Sequence, residues 1–329
     1  MEVNNQIKNN YIDFLKGFLI FLVVLGHEIQ SSSVNFDSIY LFKFIYSFHM
    51  PFFILISGYL ASMSVKRSQC SFEKCIKKKF YYLIVPFLSW FIIGIIIQED
   101  LSFTGIVSSF ESLINHVDNG LWYLYVLFVL YIFLYVSYKI KYKYIVLLSL
   151  FLLLPMTNIL GMNLIKWYLI YFILGMALFD YQLLLKNIFI KYIMRIKYLT
   201  VVLFILSLVY WEREFGIHSI FLNAYYLYAY KFFTSLLGII SVYIITKKLF
   251  SYLYLSDIFN LFGKNSMKIY ILNVLIINYI SNFIIITNQI LVIILALFIC
   301  YFIVVVANVL SKFEVFAILF GVKYKNVSV

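Results

Sequence analysis

Residues 11–28 read Tyr11-Ile-Asp13-Phe-Leu-Lys16-Gly17-Phe-Leu-Ile-Phe-Leu-Val-Val-Leu-Gly-His27-Glu28. As a helix, the apolar run near residues 12–30 can cross the roughly 30 Å of hydrocarbon in a bilayer. It nevertheless carries several ionisable side chains, and such groups inside a membrane span are costly and usually functional. The stretch therefore predicts a membrane helix that also carries part of a functional site.

The rest of the chain has the same apolar character. Of its 329 residues, 64% are hydrophobic and 12% are charged, which is about half the charged fraction of a soluble domain. We expect an all-α, polytopic transmembrane helical bundle of about ten spans, with nine and eleven as open alternatives, in a single membrane-embedded domain over residues 1–329. The other apolar runs lie near residues 39–63, 80–98, 121–138, 143–160, 164–180, 198–212, 227–247, 267–286 and 289–311.

The basic residues are distributed unevenly between the two sides of the membrane. If the N-terminus is cytoplasmic, 22 of the 26 lysines and arginines fall on the inner side. Cytoplasmic loops of membrane proteins are enriched in this way. We therefore expect both termini in the cytoplasm, and we attribute the net charge of +12 to topology rather than to nucleic-acid binding. The outer exceptions are Lys43, Lys166, Arg213 and Lys231.

Three ionisable residues of the first helix share a spacing that suggests a site. Asp13 and Lys16 lie three positions apart, one helical turn, where they can pair. Lys16 and His27 lie eleven positions apart, about 20° from the same helix face and about 16 Å along the axis. An alternative stays open, in which Asp13 and Lys16 reach the cytoplasmic surface and His27 caps the outer end.

The second helix adds a histidine inside the span. His49 lies between apolar residues, and Pro51 frees the carbonyl four positions earlier, which favours a local break lining a cavity. The first two helices form a hairpin, so His27 and His49 both belong to its outer half and can face one cavity. The alternative for His49 is a packing histidine. Ser57 and Gly58 permit close approach of a neighbouring helix.

Five short blocks occur in order along the chain, and together they resemble the acyltransferase-3 family of integral membrane O-acyltransferases. The first block is a basic residue, ten intervening positions and a histidine, here Lys16 and His27. Lys16 stands where many members have arginine, which keeps the charge but loses bidentate geometry. Asn273 stands where many have histidine, so a proton-transfer role there is in doubt. The blocks are Asp13-Phe-Leu-Lys16-Gly17 with Val24-Leu-Gly-His27, Phe48-His49-Met50-Pro51-Phe52-Phe53 with Ser57-Gly58-Tyr59, Lys77-Lys78-Lys79 before Pro86, Gly120-Leu-Trp-Tyr-Leu124, and Gly263-Lys-Asn-Ser266-Met-Lys-Ile-Tyr270-Ile-Leu-Asn273.

The resemblance implies transfer of an acyl group, usually acetyl, from cytoplasmic acyl-CoA to a hydroxyl of a sugar or polysaccharide. Acyl-CoA would be a donor substrate, with no bound cofactor and no metal. A sugar hydroxyl needs a base, and histidine titrates in the right range. His27 is the first choice for that base, with a transient acyl carrier as the alternative role. Lys16 would stabilise an oxyanion or a CoA phosphate, Asp13 would orient Lys16, and His49 is the second candidate.

The basic block at residues 77–79 suggests where the donor enters. Lys77, Lys78 and Lys79 would hold CoA phosphates as point charges at the cytoplasmic mouth. Their alternative role is to anchor the topology and contact lipid phosphates.

The runner-up function is an exporter or transporter of polysaccharide intermediates, in which the same polar residues line a path. No inverted repeat or matching pair of broken helices is visible in the sequence, which argues against this alternative. The abundance of Ile, Phe, Tyr, Asn and Lys suggests an AT-rich genome and therefore a bacterial source. For a multi-pass protein of a bacterium we expect a location in the plasma membrane.

Overall fold

The computed structural model describes residues 2–67, 71–97, 102–115, 117, 121–155, 157–213, 225–283 and 288–322. Within these ranges the chain is helical and contains no strand. A π-helical turn at Phe80–Ile84 joins α3 to α4, and short 3₁₀ turns lie at Phe36–Ser38 and Ile159–Gly161. The α-helices are α1 Glu2–Ser32, α2 Tyr40–Arg67, α3 Phe72–Lys79, α4 Val85–Ile97, α5 Phe103–Asn115, α6 Trp122–Ser137, α7 Lys143–Leu153, α8 Met162–Asp180, α9 Gln182–Ser207, α10 Tyr225–Leu249, α11 Leu253–Lys264, α12 Ser266–Ser281, α13 Gln289–Leu310 and α14 Glu314–Leu319.

The all-α prediction is confirmed, and a helix occupies much of each predicted apolar run within the described residues, although α7 already ends at Leu153 and α9 at Ser207. Residues 98, 156 and 284–286 of the predicted runs lie outside the described residues. In the described part of the chain, five helical segments are long and apolar enough to cross a membrane. They are Tyr40–Arg67, Phe72–Ile97, Ile159–Asp180, Tyr226–Leu249 and Gln289–Leu310. Shorter apolar helices are Trp122–Ser137, Lys143–Leu153, Ile196–Ser207 and Ser266–Ser281. The total of ten spans and the cytoplasmic position of both termini stay predictions.

The helices that lie where the sequence predicted only connections between spans include α5 and α11. α5 occupies the segment between the third and fourth apolar runs, and α11 occupies the segment before the ninth. The ring of Phe110 on α5 packs edge-on against Phe91 of α4, with their centroids 5.2 Å apart. Both helices are too short to cross a bilayer, so a search for long apolar runs passes over them.

The residue contacts divide the chain into two compact units. The first unit comprises residues 1–53 and 183–308, and the second comprises residues 54–182 and 309–329. The prediction of a single domain is left untested by this division, and each unit is described by itself below.

In the first unit, α1 packs along α11 and α12. Gly17 and Gly263 permit the closest approach, since a Cβ at Gly17 would lie 1.7 Å from the Phe259 carbonyl oxygen. Aromatic rings fill the space beside this contact, with the Phe14 and Phe259 centroids 5.4 Å apart. Packing of small residues and rings thus fixes the N-terminal half of α1.

α2 runs through Pro51 without interruption, so the predicted break at this proline is wrong. Proline has no N–H to donate to the carbonyl of Ser47, which leaves that buried acceptor without its helical partner. The hydroxyl of Ser235 on α10 donates to this oxygen at 2.6 Å. A neighbouring helix therefore satisfies the freed carbonyl, as is common for prolines in membrane helices.

In the second unit, α2 and α8 meet through another pair of glycines. A Cβ at Gly58 would lie 2.2 Å from the Phe172 carbonyl oxygen, and one at Gly175 would lie 2.0 Å from that of Leu55. The approach that Ser57 and Gly58 predicted is thereby confirmed, and α8 is the helix that approaches.

The carboxylate of Asp180 connects the ends of three helices in this unit. It accepts hydrogen bonds from Lys66 of α2 at 2.8 Å, from Lys143 of α7, and from the Tyr144 hydroxyl at 2.6 Å. The carboxylate is largely shielded from solvent, and its donors fill its hydrogen-bonding capacity. The cluster therefore acts as a structural tie between α2, α7 and α8.

Candidate active site

The two charged residues in the N-terminal half of α1 form an ion pair. The Lys16 ammonium lies 2.8 Å from the Asp13 carboxylate, and both side chains are 26% exposed. The pairing predicted from their three-residue spacing is present. Because exposed ion pairs contribute little to stability, the position of this pair is of more interest than its strength. The ion pair holds the Lys16 ammonium on the helical turn just before Gly17, which is tightly packed.

His27 lies in the C-terminal half of α1, partly exposed, with one ring nitrogen hydrogen-bonded. Its Nδ1 lies 3.1 Å from the side-chain oxygen of Gln30. The Tyr46 hydroxyl of α2 donates to that same oxygen at 2.6 Å. An amide oxygen can only accept, so Nδ1 of His27 is the donor and carries the proton. The lone pair of the neutral ring is therefore on Nε2, which is the arrangement a general base requires.

His49 is more deeply buried than His27, with 5% of its surface exposed. Its Nδ1 donates to the Ile45 carbonyl at 2.7 Å. The Tyr46 ring packs edge-on against it, with the centroids 4.9 Å apart, and the Tyr46 hydroxyl bonds to Gln30, the partner of His27. The structure thus brings the two histidines into one cluster, with Tyr46 beside both.

Sequence reasoning missed Gln30 and Tyr46, the two residues that bond to the histidine cluster. Gln30 had a readable signal, because it follows His27 by three positions and so lies on the same helix face. Tyr46 had none, since its contact with Gln30 depends on how α2 is rotated about its axis. Such a rotation is set by packing and not by local sequence.

Two further buried polar groups lie in the same unit. Glu28, next to His27, is 2% exposed, and its Oε2 has no hydrogen-bond partner among the described residues. Asn273 of α12 is fully buried, and its amide donates to the carbonyls of Ile269 and Tyr270. Both hydrogen bonds go to carbonyls of its own helix, so we assign Asn273 a structural role.

A cavity of about 110 Å³ lies at the C-terminal end of α1. The helix contributes Ile29 and Ser32, and Ser33 follows directly after it. The cavity lining mixes apolar side chains with neutral hydroxyl and amide groups and includes no charged residue. The lining residues are Ile29, Ser32, Ser33, Ile39, Leu41, Gln289 and Val292.

The three lysines of the basic block belong to the second unit and differ in their surroundings. Lys77 and Lys78 are exposed near the end of α3. Lys79 is partly buried, and its ammonium lies 3.9 Å from the centre of the Tyr131 ring. A cation over an aromatic face is held by the ring quadrupole. Lys77 and Lys78 are therefore available to a ligand, whereas Lys79 is engaged within the fold.

Comparison with known proteins places these features in context. A family model described as an acyltransferase domain matches residues 9–310. Over 82 residues the chain is 48% identical to nodulation protein NolL of Sinorhizobium fredii and 43% identical to nodulation protein NolL of Mesorhizobium japonicum. These segments cover 24% of this chain but 22% and 21% of the two relatives, so the similarity spans about a fifth of their length. No solved structure matches the chain.

Proposed function

The chain belongs to the acyltransferase family whose model covers residues 9–310, and from this premise we propose a membrane O-acyltransferase. The enzyme moves an acyl group, acetyl in the first instance, from cytoplasmic acyl-CoA to a hydroxyl of a cell-surface or lipid-linked glycan. Its apolar helices make it a multi-pass membrane protein, and we propose the bacterial plasma membrane as its location.

The observation that carries this proposal is the hydrogen bond of His27, which places the ring proton on Nδ1. With Nδ1–H donated to Gln30, the free Nε2 can remove the proton from an acceptor hydroxyl. The resulting oxygen nucleophile attacks the thioester carbonyl carbon, the C–O bond forms, and the C–S bond breaks. The CoA thiolate leaves and is reprotonated by the imidazolium, which returns His27 to its starting state. General-base assistance of this kind typically contributes about 10²- to 10⁴-fold to the rate.

His49 is the weaker candidate for the base because of its burial. Its Nε2 is also free when the ring is neutral, since Nδ1 donates to Ile45. However, a base has to reach the hydroxyl directly or through one water, and the 5% exposure of His49 leaves little room for either. We assign it to the environment of His27.

The ion pair of Lys16 and Asp13 fits recognition of the donor better than stabilisation of the oxyanion. α1 continues unbroken from Glu2 to Ser32. Lys16 therefore remains about 16 Å from His27 along the helix axis, beyond the reach of a lysine side chain. A CoA phosphate can occupy the Lys16 end while the pantetheine arm extends toward His27. In the second unit, the exposed Lys77 and Lys78 are our proposed contacts for CoA phosphates.

The cavity at the C-terminal end of α1 fits an acceptor better than a donor. Its hydroxyl and amide groups, Ser32, Ser33 and Gln289, can hydrogen-bond sugar hydroxyls, and its apolar groups can pack on a sugar ring. The uncharged lining does not suit a CoA phosphate. We therefore propose that the donor and the acceptor approach His27 from opposite ends of α1.

The test is acyl transfer by the purified protein in detergent. Wild-type protein incubated with acetyl-CoA and a glycan from its native envelope should release CoA thiol and form an alkali-labile ester in equal amounts. Glycans from a deletion strain should lack that ester. An exporter would cleave no thioester, so a purified, folded wild type that releases no thiol would contradict the proposed function.

A further inference from the structure

We propose that Gln30 is a positioning residue, which fixes the tautomer and ring orientation of His27, and that Tyr46 in turn holds Gln30. This inference rests on the proposed function, because it assigns the group that prepares the catalytic base. The general pattern is that of a nucleophile and base oriented by a third group. Here the third group is a neutral amide instead of a carboxylate.

With the Gln30 oxygen placed toward both groups, one pattern of proton donation fits the geometry. Its oxygen receives the Tyr46 hydroxyl at 2.6 Å and lies 3.1 Å from Nδ1 of His27. With the hydroxyl already donating to this oxygen, the ring nitrogen must donate as well. Loss of the amide oxygen would remove the preference for Nδ1–H, and the ring could then place its proton on Nε2. A ring in that form cannot act as a base through Nε2.

Tyr46 is itself held rigidly, which makes it an effective anchor for Gln30. Its ring stacks on Phe42 with the centroids 4.0 Å apart and packs edge-on against His49. On its third side it approaches α1 at Gly26, where a Cβ would lie only 2.7 Å from a ring carbon. A ring confined on three sides can place its hydroxyl in few positions. The hydroxyl therefore fixes the Gln30 oxygen before any substrate binds, as preorganised sites require.

The surrounding charges explain why an amide is suited to this position. His49 of α2 packs against the Tyr46 ring, and Glu28 is the residue after His27 on α1. The ion pair of Asp37 and Arg213 acts on Tyr46 from further out. A second buried carboxylate beside Glu28 would add a desolvation cost. It would also stabilise the imidazolium and make His27 a base that is protonated at higher pH.

The test compares Gln30→Ala, Gln30→Glu and Tyr46→Phe in membrane-inserted protein. Gln30→Ala should lower kcat at least about 10-fold, within the range of a general-base effect, and leave the KM for acyl-CoA nearly unchanged. Gln30→Glu keeps an acceptor, so it should retain activity while the acid limb of its pH–rate profile moves up by about one pH unit or more. Tyr46→Phe should cause a smaller loss of kcat than Gln30→Ala. The matched control is Ser31→Ala, because Ser31 bonds only to the carbonyl of Glu28 in its own helix.

A second readout does not depend on activity. Protein labelled with ¹⁵N-histidine contains four histidines, and His27→Gln identifies the signal of His27. In wild type the neutral ring should show the Nδ1–H tautomer, and in Gln30→Ala the signal should move toward Nε2–H. An Nε2–H ring in wild type would overturn the inference even if the enzyme is active. Full activity of Gln30→Ala, or an unshifted profile of Gln30→Glu, would also overturn it, whereas loss of thiol release by wild type would contradict only the proposed function.

Discussion

Gly17 of α1 and Gly263 of α11 pack against each other's backbone. A Cβ at Gly17 would lie 1.7 Å from the Phe259 carbonyl oxygen, and a Cβ at Gly263 would lie 1.7 Å from the Asp13 carbonyl oxygen. The first and last sequence blocks of the family resemblance are therefore two sides of one helix contact. This contact also fixes the turn of α1 that presents the Asp13–Lys16 ion pair.

The first prediction is that a methyl group at either glycine destabilises the fold. Gly17→Ala and Gly263→Ala should each lower the free energy of unfolding by about 1–3 kcal/mol, the usual cost of overpacking. The obstacle is backbone and not a flexible side chain, so the helices themselves must move apart. The measurement is thermal stability in detergent, followed by size-exclusion chromatography of the heated protein.

Gly94 of α4 provides the matched control for the glycine prediction. A Cβ at this position would meet no atom within 4 Å. Gly94→Ala should therefore leave stability unchanged or slightly raised, because alanine favours a helix. Equal losses in all three variants would show that the Gly17–Gly263 contact is not special.

Sequence reasoning succeeded where a feature depends on composition or on spacing within one helix. Apolar runs predicted the helices because hydrophobicity is a local property. The three-residue spacing of Asp13 and Lys16 predicted their ion pair for the same reason. In both cases no knowledge of neighbouring helices was needed.

Sequence reasoning failed where a feature depends on a contact between two different helices. Pro51 correctly signalled a freed carbonyl, but its partner Ser235 lies 184 positions away on α10, so the helix was expected to break. The contact of Tyr46 with Gln30 likewise depends on the relative rotation of α1 and α2. The adjacent lysines of the third block also looked equivalent, although only Lys79 turns onto an aromatic ring.

The second prediction concerns the partner of the carbonyl freed by Pro51. Ser235→Ala leaves the Ser47 carbonyl buried without a donor and should cost about 0.6–1.7 kcal/mol, the range for such bonds in membrane proteins. In a Pro51→Ala background the new N–H can donate to that carbonyl, so Ser235→Ala should cost much less. Stability of the four proteins of this double-mutant cycle is the measurement. Additive effects would show that Ser235 and Pro51 are not coupled through Ser47.

The third prediction concerns membrane orientation. Ser108 is exposed on α5, in a segment expected outside, and Lys247 is exposed at the C-terminal end of α10, which is expected inside. In intact cells a membrane-impermeant maleimide should label Ser108→Cys and leave Lys247→Cys unlabelled. Wild type, with its native cysteines, gives the background. The reverse pattern would invert the topology and with it the proposed side of donor entry.

The fourth prediction separates the lysines of the basic block. The double variant Lys77→Gln, Lys78→Gln should raise the KM for acyl-CoA several-fold, because each substitution removes a positive charge that would bind a phosphate. The KM for the acceptor should be nearly unchanged. Lys79→Gln should instead lower thermal stability, because its cation–π contact with Tyr131 is lost.

The control for this prediction is the double variant of Lys247 and Lys248 to glutamine. These two lysines are also exposed and are expected on the inner side. Replacing them changes the net charge by the same amount. This variant should leave the KM for acyl-CoA unaltered. An equal rise in KM would mean that overall charge, and not the Lys77–Lys78 position, attracts the donor.

The fifth prediction concerns His27, on which the proposed chemistry depends. His27→Ala should lower kcat by about 10²- to 10⁴-fold, the contribution of a general base, while the protein still inserts, because a span without an ionisable group is cheaper to bury. His27→Gln is the sharper variant, since it retains hydrogen bonding toward Gln30 but cannot take up a proton. If His27 is the base, acylation should therefore fall as much with glutamine as with alanine, whereas a histidine that only caps or packs should be rescued by glutamine.

Ester formation on the native glycan, normalised to inserted protein by immunoblot, is the measurement. Near wild-type acylation by His27→Gln would assign His27 a structural role, and His49 would then be the remaining candidate for the base.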